Sequence, residues 1–140
     1  MGAKLVTVAM RQALEDLKAL LIDAGLKDGS ALTDEEVKSA KDVLFWRVVV
    51  VNTDAAKKET YVTYNIMSAE PVNYQDGKPR SYDVTAVVNV FTRKEDIGDL
   101  LVAINTAAET HNWSFDLREA LSYNPQLAFY AHTFELRKWV

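Results

Sequence analysis

His111 and His132 are the side chains of this sequence whose ordinary pKa lies nearest neutral, so acid–base or metal chemistry would start from them. Neither stands in a His-x-x-His or Glu-x-x-His spacing, which a helical metal site would use. The pattern places His111 at the end of a helix, where the macrodipole favours a cation, and His132 in mid-strand on an apolar face. Two acidic groups, Asp34-Glu35-Glu36 and Lys94-Glu95-Asp96, could in principle pair carboxylates for hydrolysis. Each is expected in the first turn of a helix, where acids are favoured electrostatically. No Gly-x-Ser-x-Gly elbow, phosphate loop or dinucleotide fingerprint is present, and the five glycines are scattered. The sequence is therefore read as non-enzymatic, with no catalytic residue, metal or cofactor.

The chain has 140 residues, the size of one domain, read here as a single domain over 1–140. It is 49 % hydrophobic and 26 % charged, as globular domains are. A net charge of −4 disfavours tight binding to phosphate backbones. Cysteine is absent, which excludes disulfides and thiolate metal sites. No secretory signal is evident at the start, and the apolar run Val48 to Val51 is far shorter than the roughly 20 residues of a membrane-spanning helix. A soluble protein is expected.

The elements that would position any site follow from periodicity. Val6, Met10, Ala13, Leu14, Leu17, Leu20, Leu21 and Ala24 form a helical stripe stopped by Gly25. Lys27 to Ser30 reads as a loop. Thr33 and Glu36 have capping-box spacing ahead of a short helix. Phe45 to Val51 reads as a strand covered on both faces, broken by Asn52 to Lys58. Glu59 to Arg93 reads as a hairpin, with Val62, Tyr64 and Ile66 facing the core on one strand. On the other, Tyr82, Val84, Ala86, Val88 and Val90 share a face. Between them, Glu70 to Arg80 holds Pro71, Asp76-Gly77 and Pro79, and is expected to be a protruding loop too long for a two-residue turn. Thr92 and Glu95 suggest a second capping box before a helix with Ile97, Leu100, Leu101, Ile104, Ala107 and Ala108 inward, ending near His111. Alternation about Trp113, Phe115 and Leu117, and from Tyr130 to Leu136, gives two last strands separated by Asn124-Pro125. The expected class is α+β, in the order helix-helix-βββ-helix-ββ. About four to five mostly antiparallel strands would pack against two main helices.

The candidates that remain concern contact between proteins. Lys57 and Lys58, and Lys78 with Arg80, are small basic groups in loops. The loop residues Asn73, Tyr74, Gln75, Asp76 and Gly77 accompany them. Tyr61 and Phe91, with either face of Phe129 to Trp139, offer aromatic surface beyond what one core absorbs. The alternative is that the short helix covers part of that second face.

The run Tyr61-Val62-Thr63-Tyr64-Asn65, then Pro71, the loop Asn73 to Lys78, and the strand Tyr82 to Phe91 before a helix resemble tail-terminator (tail-completion) proteins of long-tailed bacteriophages. Leu127 to Phe134 is similar to the family's closing Tyr-His-x-x-x-Phe strand. The likeness covers about Thr60 to Trp139 and the first helix in outline, while 28–51 departs from the pattern. The resemblance implies a virion structural protein, made in the host cytoplasm. It implies a homo-oligomeric, typically hexameric ring that caps the tail tube and meets the head connector. A tail-tube or head–tail connector protein is the sister role. A small-ligand-binding domain or an enzyme with a pocket against the sheet is the reading of another class. No membrane partner is implied, and DNA would pass through an acidic ring without specific binding.

Overall fold

The computed structural model describes residues 5–47, 58–126 and 128–140, with 115–120 as backbone alone. Helix α1, Val6–Asp23, buries Ala9, Ala13, Leu17, Leu20 and Leu21, the stripe that the spacing requires. Its end is a Schellman motif: Leu26 N–H donates to Leu21 O and Gly25 N–H to Ile22 O, with Gly25 at a φ of +95° that suits glycine.

The expected loop at Lys27 to Ser30 is instead the two-residue strand β1, Lys27–Asp28, and a turn of 3-10 helix, Gly29–Ala31. Asp28 accepts from Ser30 N–H, which starts that turn where polar content alone suggested a loop. Gly29 is required here by close approach, since a Cβ would lie 2.3 Å from the Trp46 indole. Helix α2, Asp34–Ser39, carries the complete Thr33–Glu36 capping box, with Asp34, Glu35 and Glu36 in its first turn. Strand β2, Leu44–Arg47, is buried at Leu44, Phe45 and Trp46, as a strand covered on both faces should be. The expected continuation over Val48–Val51, and the break to residue 57, lie outside the described residues.

Strand β3, Thr60–Gln75, and strand β4, Lys78–Thr92, form the hairpin. The expected long loop is corrected: the strands pair as far as Gln75 with Lys78, and Asp76-Gly77 alone makes the turn. Both turn residues have positive φ, +52° and +72°, which Asp-Gly adopts readily in a primed hairpin turn. The prolines do not break the ribbon. Tyr82, paired with Pro71, exchanges both backbone hydrogen bonds with Val140 on its other side. Pro71 therefore faces its nitrogen away from β4, where no ladder donor is needed.

The next helix, α3, spans Gly98–Thr110 and buries Ile104, Ala107 and Ala108. The expected Thr92–Glu95 capping box is absent. Thr92 Oγ1 accepts instead from Lys94 N–H and Asp96 from Gly98 N–H, so two short turns intervene and Lys94-Glu95-Asp96 precedes the helix. Strands β5, Ser114–Asn124, and β6, Phe129–Trp139, complete the chain.

The sheet has six strands in the order β1-β2-β3-β4-β6-β5. It is mixed, because β1, β2 and β3 run parallel and the remaining neighbours antiparallel. The α+β class stands, but the strand number and the nearly all-antiparallel arrangement are corrected. Parallel pairing of β2 with β3 is decided by how separate segments meet, which periodicity within each segment does not encode. Helices α1 and α3 cover one face over Val62, Val84, Ala86, Val88 and Val90, while α2 packs Val37 against Leu44, Trp46 and Tyr61 on the other.

Candidate functional site

The residues proposed from sequence fall into three places. Lys57 lies outside the described residues. Lys58 is a structural cap: its Nζ donates to Ala40 O at 2.6 Å and Lys38 O at 3.4 Å, satisfying carbonyls at the end of α2. The loop candidates Asn73, Tyr74, Gln75, Asp76, Gly77, Lys78 and Arg80 sit together on the distal part of the β3–β4 ribbon. Neighbouring strand β6 follows β4 as far as Tyr82, opposite Val140, and the described part of β2 follows β3 as far as Tyr64. The four residues of β4 beyond Tyr82, Ser81 back to Lys78, correspond to an arm of about 13 Å. Tyr74 is 57 % exposed on it, paired across the ribbon with Pro79. Met67, also largely exposed, is the extra residue of a bulge between Ile66 and Ser68 that sets the direction of the arm.

Tyr61 and Phe91 occupy the third place, on the sheet face opposite α1 and α3 at the end of the strands away from the arm. Their rings stack at 5.0 Å, and Phe129 meets Tyr61 edge-on at 5.8 Å. Arg93 lies 3.9 Å above Phe129 and donates to Lys58 O, so one cation holds the ring and the neighbouring loop. Burial raises the Tyr61 hydroxyl pKa, against the pull of Arg93. These rings line a concavity of about 250 Å³ with Ser122, Asn124 and Ala131. Towards the middle of the same face, Thr133 Oγ1 donates to Asn89 Oδ1 and Asn89 Nδ2 to Thr63 Oγ1, which satisfies its polar side chains. The expected cover by α2 reaches only the β2 side of this face.

A polar cluster escaped the sequence reading. Asp16 on α1 accepts from His111 Nδ1 at 2.8 Å, from Trp113 Nε1 at 2.6 Å and from Lys138 Nζ at 2.8 Å. His111 Nε2 donates to Asp23 at 2.5 Å, and Lys138 Nζ also donates to His111 O. A neutral imidazole has one donor, so two carboxylate acceptors require the imidazolium. Asp23 and then Asp16 accordingly raise the His111 pKa. Burial works to raise the Asp16 carboxyl, but Lys138, His111 and Trp113 together hold it below its ordinary value. The spacing of Asp16 and Asp23, two helical turns apart on one face, was the available signal. Their partners come from segments 88 to 122 residues away and carry no local trace. The cluster ties α1 to the end of α3 and to β6, with every close donor already engaged. His132 is buried in β6 opposite Val90. No group of acidic or histidine side chains suited to a metal ion occurs among the described residues.

Among the described residues no helix is long and apolar enough to cross a membrane. No protein-family model matches the sequence, and a search of curated proteins finds no match.

Proposed function

We propose that this chain is a non-enzymatic virion component, a tail terminator whose copies form a ring at the head-proximal end of a phage tail, capping the tube and joining it to the head connector. The observation that supports this reading most is the arm, a two-stranded ribbon that projects beyond the other described strands and exposes Tyr74 at its end. An isolated two-stranded ribbon is marginally stable in water, so an arm of this kind gains its order from a neighbour. A closed ring supplies that neighbour through a heterologous contact repeated around an axis. The aromatic concavity at the opposite end of the sheet is a second, different surface, as such a contact needs.

Light scattering over a range of concentrations, followed by negative-stain imaging with tail tubes, tests the reading. A multiple of the 15.7 kDa chain mass and a ring at tube ends are expected. A persistent monomer that leaves tube ends bare would overturn it. Deleting Tyr74 to Lys78 should preserve the circular-dichroism spectrum and reduce assembly, because this part of the arm is exposed and outside the core.

A further inference from the structure

The geometry points to a knob-and-socket contact between copies, in which Tyr74 of one copy's arm enters the aromatic concavity of the next, between Tyr61, Phe91 and Phe129. This deepens the ring reading above and rests on it. Tyr74 pairs with Pro79 and Phe91 with Tyr61, so knob and socket lie at opposite ends of the same hairpin. Twelve residues of β4 separate Pro79 from Phe91, a distance of roughly 40 Å at the usual strand rise. One copy cannot fill its own socket; a second copy of this chain can.

Size and chemistry agree with that occupant. The concavity of about 250 Å³ is small for a drug-sized ligand, whose pockets run from roughly 300 to 1,000 Å³, and is on the scale of one large side chain. Three rings line it, and an entering tyrosine would meet edges and faces in the offset geometries that aromatic pairs favour. Ser122 in the lining offers its hydroxyl to an entering phenol. The backbone argues for side-chain docking over strand addition. Pro71 removes a donor from the outer edge of β3, and the bulge at Met67 interrupts that edge again. Knob and socket are different surfaces of one chain, so the contact can repeat head-to-tail from copy to copy around a ring.

The sequence lacks cysteine, which permits a clean cross-linking test. The double variant Tyr74→Cys/Ser122→Cys should form a reducible ladder of covalent multimers on mild oxidation, and Val102→Cys/Ser122→Cys should not. Both Tyr74→Ala and Ser122→Trp, at exposed positions, should keep the wild-type spectrum and weaken self-association at least tenfold, with Tyr74→Phe close to wild type. Wild-type oligomers that persist unchanged in Tyr74→Ala and Ser122→Trp, with no ladder from the cysteine pair, would overturn the contact and leave the ring standing. A wild-type chain that stays monomeric with tail tubes would overturn both.

Discussion

Replacing Asp16 by alanine removes the acceptor shared by three donors, and its cost can be worked from the geometry. Trp113 is only 2 % exposed, so its Nε1–H, now 2.6 Å from Asp16, would be left without that partner and away from water. An orphaned buried donor costs about 1–3 kcal/mol. Lys138 and His111 are part-exposed, at 24 % and 18 % of their side chains, and regain water, so their loss adds roughly 1 kcal/mol. The sum is about 2–4 kcal/mol. For a chain of this size each kcal/mol lowers Tm by roughly 3 °C, so a fall of about 6–12 °C is expected. Thermal melts followed by circular dichroism at pH 6 measure it. Asp23→Ala is the control: its side chain is 60 % exposed and bonds His111 alone, and it should cost under about 1 kcal/mol. A fall below about 3 °C for Asp16→Ala, or an equal fall for both variants, would refute the claim that the buried indole makes Asp16 the junction of the fold.

The same cluster sets a pH dependence. The folded pKa of His111 is raised, so its stabilisation is complete below the unfolded value of about 6.5 and is lost as pH rises through the folded pKa. The folded pKa of Asp16 is depressed, so its share is present above about 3.9 and is lost as pH falls through the lower folded value. Urea unfolding from pH 6 to 9 should show wild-type stability declining more steeply than that of His111→Gln; parallel curves would contradict the imidazolium. Gly29→Ala should cost about 1–3 kcal/mol by forcing Trp46 from its place, read as a Tm drop and a change in indole fluorescence. Unchanged stability would show that the indole moves freely.

Much of the secondary structure is legible locally. The period-two pattern of Tyr82 to Val90 and the helical stripes of α1 and α3 fix which side chains turn inward, and burial follows those patterns. The Thr33–Glu36 cap is equally local, since both of its hydrogen bonds close within three residues. The same spacing at Thr92 and Glu95 failed because Thr92 is already engaged by Lys94 N–H and by Thr60 across the hairpin. The arm was misread for a related reason. Pro71 and Pro79 signal a loop, yet Pro71 turns its nitrogen to the outer edge of the ribbon and Asp76-Gly77 alone closes it, conditions that pairing across the hairpin sets.

What the sequence alone determined is the α+β class, the inward faces of the main elements, the absence of disulfide chemistry and the aromatic character of Tyr61, Phe91 and Tyr74. The tertiary structure decided which of these residues share a surface. It brought Tyr61, Phe91 and Phe129 into one concavity, carried Tyr74 to the far end of the same hairpin, and gave His111 its two carboxylates. Periodicity is a property of neighbours in the chain. A mixed sheet pairs segments through crossovers and register, so the contacts that make a site depend on distances the chain does not write locally.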